Sequence, residues 1–352
     1  MSTAAAALAA PASSGDRSFA LGCFDFHCGR QLSEAQLSYR VYGTLNAERS
    51  NLVLYPSSYG AWPEDIDWVV GPILDPTRWC VLLVSQFGNG RSSSPSNSAM
   101  GLREDGWVIS HRDNQRAQQR LVTERFGVER IALIYGWSMG AQQAYHWGAL
   151  APAAVERLFC LCGTARTTPH NRLFLLSLRQ ALTADPAWDG LRFRALPEQG
   201  LRSFALIYAS WAASQAFYRE RRHEALGYPS VDDYVERSWL PAYRRHDPHD
   251  LVAMLDTWLD NDLALAMAAA NGSTQPGDLA AALGAIQART TVMAGSHDLY
   301  FLPDDCAAEA ALIPGSRFER IESVLGHRAG NPRDAPREQA LIRAALDRLC
   351  PT

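Results

Sequence analysis

The chain has 352 residues, 47% hydrophobic and 20% charged, with a net charge of −4. That length allows one large domain or two ordinary ones and a core that needs no disulfide or metal staples, and the slight acidity excludes the basic surface of a nucleic-acid-binding domain. All 33 basic residues are arginine, which removes phosphate-loop, Schiff-base and kinase-type lysine chemistry together.

In chain order, Met1–Asp16 is alanine-rich with no basic residue before Arg17, a poor signal peptide. Residues 1–20 are expected to form a disordered tail. Short apolar runs then recur at Leu37–Tyr42, Leu52–Tyr55, Cys80–Ser85, Ile131–Tyr135, Leu158–Leu161 and Thr291–Ala294. Amphipathic segments such as Arg112–Phe126 and Ala141–Leu150 separate them, and alternation of this kind predicts a mostly parallel sheet covered on both faces. The two earliest runs are expected to form an antiparallel edge. Seven cysteines without a CxxC pair support neither a zinc knuckle nor a redox motif; Cys160 and Cys162 read as buried thiols on one strand face. No apolar run approaches the ~20 residues needed to span a bilayer. Together these features predict a soluble, reduced, cytoplasmic protein that binds neither membrane nor nucleic acid.

The stretch 167–278 differs, with helical spacing in Arg202–Arg222, Val231–Tyr243 and Asp250–Leu265 and no strand pattern. It reads as a helical lid inserted into an α/β core of residues 21–166 and 279–352, lying over the carboxyl edge where open α/β sheets bind ligands. His246, Asp247, His249 and Asp250 cluster there, but the flanking arginines favour a solvated helix start capped by Asp247 or Asp250. No metal is expected, since a catalytic site needs three suitably oriented ligands.

Chemistry concentrates in Ile131-Ala-Leu-Ile-Tyr-Gly-Trp-Ser-Met-Gly-Ala-Gln-Gln-Ala-Tyr145, which runs strand, sharp turn, helix. Within it Gly136-Trp137-Ser138-Met139-Gly140 matches G-x-S-x-G, a turn that exposes Ser138 Oγ beside a helix N-terminus. A nucleophilic serine needs a base, and the base an orienting acid, which in this arrangement follow in the order acid, histidine. Thr291-Val-Met-Ala-Gly-Ser-His-Asp298 places Asp298 just past a strand end. Ile321-Glu-Ser-Val-Leu-Gly-His327 places His327 at the carboxyl end of a second apolar stretch. The competitors Asp304, Asp305 and His297 lie further into the loop or beside the acid. The expected triad is Ser138–Asp298–His327. Two backbone N–H donors should receive the oxyanion: Met139, and a residue of Tyr55-Pro-Ser-Ser-Tyr-Gly60, where Ser58 is better placed and Ser57 is the alternative.

The chain resembles the homoserine O-acetyltransferase family of α/β-hydrolase fold enzymes. The likeness runs through Leu37-Ser-Tyr-Arg-Val-Tyr-Gly-Thr-Leu-Asn-Ala-Glu-Arg-Ser-Asn51, Phe126-Gly-Val-Glu-Arg-Ile-Ala-Leu, the Ser-Met-Gly elbow, Ala184-Asp-Pro-Ala-Trp-Asp-Gly190 and both terminal triad loops. It implies a hydrolase sheet with a helical lid, a homodimer through that lid, and acyl transfer through an acyl-serine; some relatives are plain esterases. The chain departs where the family holds its amino-acid substrate. Arg328 stands where the family has Asp after the histidine, and Ala212-Ala213 where it has Tyr-Arg, although a shifted register offers Tyr218-Arg219. Trp137 replaces a small residue before the nucleophile, and Pro56 the histidine of the oxyanion loop. Trp137, Tyr59, Gly60, Trp211 and Arg328 are the expected pocket lining, with Trp62, Trp147 and Tyr208 as further aromatic candidates. These departures favour a serine esterase acting on a small or medium acyl ester. The alternative is an O-acyltransferase that moves an acetyl group from acetyl-CoA to an alcohol, and a non-catalytic binding protein is disfavoured because all three triad residues are kept. No cofactor is expected, and acetyl-CoA enters only as co-substrate of the transfer alternative.

Overall fold

A computed structural model of the chain describes residues 15–273 and 277–351. The apolar runs become strands of one sheet: β1 Arg17–Asp25, β2 Gln31–Tyr42, β3 Leu52–Pro56, β4 Cys80–Val84, β5 Leu133–Trp137, β6 Arg157–Leu161, β7 Arg289–Gly295 and β8 Arg317–Ile321. Every residue of β3 and β4 is buried, as expected of strands covered on both faces. Along β3 the side chains alternate between two core clusters, Leu52 and Leu54 in one and Val53 and Tyr55 in the other.

The strand order is β1-β2-β4-β3-β5-β6-β7-β8. β2 pairs antiparallel with both neighbours, and the remaining pairings are parallel. The chain leaves β3 toward β4 on one side and returns to β5 on the other. The carboxyl ends of β3 and β5 therefore flank a topological switch point, where such sheets leave a crevice for ligands.

Several expectations need correction. The antiparallel edge consists of β1 and β2, while β3 belongs to the parallel part. Residues 1–14 of the expected tail lie outside the described residues, but Arg17–Ala20 are ordered as the start of β1, pairing with Gln36–Tyr39. β1 carries a weak signal because it is mostly exposed and its register shifts around Gly22, which breaks the period of two. β8 ends at Ile321, so His327 follows a short loop rather than the strand itself. Cys162 lies one residue beyond β6 with φ of +48°, which takes it off the strand face that Cys160 occupies.

Between β6 and β7 the longer segments are the helices Pro169–Thr183, Glu198–Ala212, Pro248–Leu259 and Leu263–Ala270. They reach the loops at the carboxyl edge: Tyr59 Oη donates to Leu251 O at 3.1 Å and Tyr300 Oη to Tyr208 O at 3.1 Å. The helix expected over Arg202–Arg222 breaks after Ala212. There Ser214 Oγ accepts from Phe217 N at 3.0 Å and donates to Val324 O at 2.5 Å, which ties the break to the loop before His327. The 246–250 cluster divides among separate partners. Asp247 caps its helix by accepting from His249 N, Asp250 accepts from Ser96 N and Oγ, and His246 packs on Trp62. His246 and Asp250 are buried rather than solvated.

A buried histidine pair joins the helix His111–Arg120 to the helix Met139–Leu150 that follows Ser138. The rings are 5.4 Å apart; His111 Nε2 meets Gln142 Oε1, and His146 Nε2 meets Asn261 Oδ1, each at 3.1 Å. Burial pushes His111 down to about 3 and His146 down to about 4. Below pH 6.5 the unfolded chain gains protons that these rings refuse, so the stability they contribute is lost as pH falls through that interval toward the folded values. Between pH 7 and pH 5 His146 should account for a loss of roughly 2 kcal/mol. Urea titrations of the parent and His146→Gln at both pH values should differ in acid sensitivity by about that amount; identical pH dependence would contradict the assignment.

Candidate active site

Ser138 joins β5 to the helix Met139–Leu150 at φ +58° and ψ −126°. A serine rarely adopts this backbone, and the surroundings hold it there. A Cβ on Gly136 would lie 2.4 Å from Gly140 O, and one on Gly140 would lie 2.6 Å from Pro56 O. Glycine at both positions is thus what lets strand, turn and helix approach β3. The hydroxyl is carried to the top of the sheet beside the first, unbonded N–H groups of the helix.

Asp298 lies in the loop after β7 and is 1% exposed. Its Oδ1 accepts from Tyr300 N at 2.8 Å and Phe301 N at 3.1 Å, and its Oδ2 lies 2.7 Å from His327 Nδ1. The two backbone donors fix the carboxylate so that its other oxygen faces the imidazole. Aromatic rings surround that imidazole: Trp137 stacks at 5.2 Å, Tyr300 lies at 4.7 Å and Phe301 at 5.5 Å. The competitors go elsewhere: Asp304 pairs with Arg320, and His297 Nδ1 meets Ser323 O at 3.1 Å.

Ser138 and His327 line the same cleft, of about 300 Å³, together with Ser58, Tyr59, Trp137 and Arg328. Ser57 N–H is consumed by Val84 O at 2.8 Å, so the alternative donor Ser57 is already engaged. Gly60 and Trp211 do not line the cleft. Gly60 faces the lid, its N–H reaching Met254 Sδ at 3.5 Å. Trp211 packs on His170 and Phe174, because it lies on the flank of its helix while Tyr208 and Ala212, four apart, share the face over the cleft. Trp62 is held between Arg91 and Arg245, and Trp147 is buried in the core.

Residues that the sequence reading missed complete the lining: Asp65 from the short helix after β3, Trp239 and Tyr243 from the lid, and Asn331, Arg333 and Asp334 from the loop after His327. The spacing of Trp239 and Tyr243 at i and i+4 was the available signal. A larger hollow of about 670 Å³ adjoins, sharing Arg328, Asn331, Arg333 and Asp334 with the cleft. Arg328 Nη1 donates to Tyr234 Oη at 2.7 Å and has no carboxylate partner among the described residues. Of the shifted pair, Tyr218 donates to Ala209 O at 2.6 Å and Arg219 is exposed; neither reaches the cleft.

Cys162 Sγ, a carboxylate oxygen of Asp298 and a ring nitrogen of His327 lie within 4.8 Å of one another. This donor set does not suit a metal. Asp298 and His327 already bond to each other, and burial pushes the Cys162 thiol well up, so it keeps its proton. No helix among the described residues is long and apolar enough to cross a membrane.

A family model described as the alpha/beta hydrolase fold matches residues 55–325. The chain is 37% identical over 305 residues to an ethyl acetate hydrolase of Pseudomonas veronii, covering 85% of each chain. It is 27% identical over 322 residues to a homoserine O-acetyltransferase of Chlorobium chlorochromatii, covering 86% of this chain and 87% of the relative. Among solved structures, the acetyl esterase MekB superposes with a TM-score of 0.87 at 35% identity, covering 95% of this chain and 97% of that one. A serine held at positive φ between β5 and its helix, facing a histidine–carboxylate pair across the carboxyl edge of this sheet, agrees with that match: the chain belongs to the alpha/beta hydrolase fold family.

Proposed function

We propose that the chain is a serine esterase that cleaves small acyl esters, acetyl esters foremost, through an acyl-Ser138 intermediate. The observation that carries the reading is the 2.7 Å bond between His327 Nδ1 and Asp298 Oδ2 in the cleft that also holds Ser138. Ser138 Oγ attacks the ester carbonyl as His327 Nε2 takes its proton. The developing oxyanion sits against the N–H groups of Ser58 and Met139. Collapse expels the alcohol, which receives the proton from His327 and leaves the acyl group on Ser138. Water, deprotonated by His327, then attacks the acyl carbon; a second collapse frees the acid and returns the proton to Ser138. Asp298 holds the tautomer throughout.

Two features favour water and a small ester over an amino-acid acceptor. The cleft of about 300 Å³ is at the small end of ligand sites, which run from ~300 to ~1,000 Å³. Arg328 supplies a cation beside His327 where the ammonium of homoserine would need an anion, and Ala212 offers no group for its carboxylate. The similarity to an ethyl acetate hydrolase and an acetyl esterase points the same way.

Ser138→Ala should stay folded and lose ~10⁴–10⁶-fold in kcat on an acetyl ester, since triad members act as a unit. An alanine variant that keeps a tenth of parent turnover, with contamination excluded, would overturn the assignment. Asp298→Asn should lower kcat by ~10⁴ through the wrong histidine tautomer, whereas Asp304→Asn should leave kcat near the parent value. The reverse ranking would move the acid to the later loop. With acetyl-CoA as donor, transfer to homoserine should stay below ~10⁴ M⁻¹s⁻¹ in kcat/KM, the lower edge for established substrates; a higher value would replace the esterase reading with the transferase one.

A further inference from the structure

The loop after β3 brings Ser58 to the cleft, and the structure shows what orients its N–H. Every other polar atom of Ser57 and Ser58 is engaged. Ser57 N–H donates to Val84 O at 2.8 Å, and Ser57 Oγ accepts from Gln86 N at 3.0 Å. Ser58 O accepts from Gln86 Nε2 and from Ala61 N, each at 3.2 Å, and Ser58 Oγ donates to Trp137 O. Ser57 O accepts from Gln143 Nε2 at 3.0 Å. That last bond matters most, because Ser57 C=O and Ser58 N–H belong to one planar trans peptide and point in opposite directions. Holding the carbonyl oxygen toward the helix Met139–Leu150 aims the N–H away from it, toward the cleft. The same amide group of Gln143 lies 3.4 Å from Met139 O, the carbonyl of the other donor residue.

A glutamine amide can face either way, so something must set its polarity. Trp147 Nε1 donates to Gln118 Oε1 at 2.9 Å, and Gln118 Nε2 donates to Gln143 Oε1 at 2.6 Å. All three side chains are buried. An indole N–H can only donate. It therefore presents to Gln118 a group that only an amide oxygen can meet, which turns the Gln118 NH₂ toward Gln143. The Gln143 oxygen must meet that NH₂, and its own NH₂ is left for Ser57 O. One donor-only group at the far end thus fixes the direction of every dipole in the row.

We propose that Gln143, polarised by Gln118 and Trp147, is a positioning residue for the oxyanion site: it orients the Ser57–Ser58 peptide so that Ser58 N–H faces the charge that develops on the substrate. None of the three touches the reacting atoms. The proposal rests on the esterase reading above.

The test compares the parent with Gln143→Met and Gln118→Met, using kcat and KM on an acetyl ester and the inhibition constant of an acetyl-type trifluoromethyl ketone. That ketone forms a tetrahedral oxyanion on the serine and so reports the oxyanion site directly. Gln143→Met should lower kcat by ~10–100-fold, less than outright removal of an oxyanion donor, while KM moves by no more than about threefold. Its affinity for the ketone should fall by a factor similar to that in kcat. Gln118→Met, a shell further out, should give the same split at smaller size and carries the test if the first variant does not fold. Turnover within about twofold of the parent in a folded variant, or a loss of kcat with ketone affinity unchanged, overturns the positioning role. Failure of the parent itself to capture the ketone at Ser138 would overturn the esterase reading instead.

Discussion

The arrangement at the top of the sheet depends on one backbone conformation, the left-handed serine between β5 and its helix. Ser138 at φ +58° is costly for a residue with a Cβ, and local sequence alone does not hold it. β5 is pinned between β3 and β6, Ser138 N donates to Leu161 O at 2.9 Å, and glycines at 136 and 140 remove the side chains that would force the turn open. Relaxing it would carry the hydroxyl and the first helix N–H groups away from the cleft they share with His327. Packing that stabilises the fold is here the same packing that maintains the strain.

The other parts assemble because parallel strands deliver their following loops to one edge. The loops after β3, β5, β7 and β8 bring Ser58, Ser138, Asp298 and His327 together from positions up to 269 residues apart in the chain. The lid then closes the site from above. Its break at Ala213-Ser214, bonded to Val324, seats the loop that carries His327 against the lid. Cleft shape and histidine position are consequently coupled, so a change in the lid helices acts on His327 as well as on the cleft.

The elbow and both partner loops were legible in the sequence because each combines an apolar strand with a turn or strand-end residue of defined chemistry. Other features depend on tertiary context and were not. β1 was missed because an exposed edge strand with an irregular register has little periodicity. The sequence points to Trp211 for the cleft and offers Tyr208 only as one aromatic among several, since three positions along a helix decide which residue faces the cleft. That choice follows from where neighbouring helices pack. The glutamine row behind Ser57 was equally hidden: glutamines at 118 and 143 read as ordinary helix residues until the fold stacks their amides. Gly60 belonged to the right loop but turned toward the lid.

The central claim is that an acyl group passes through Ser138. The most direct test is intact-protein mass spectrometry of rapidly acid-quenched reactions with an acetyl ester, followed by peptide mapping. The account predicts one transient acetyl group per chain, on the peptide that contains Ser138, which accumulates during turnover and disappears as the ester is consumed. Acetyl carried on another residue, or turnover of an activated acetyl ester, whose fast acylation leaves deacylation limiting, with no acetyl on the Ser138 peptide at any quench time, would contradict it.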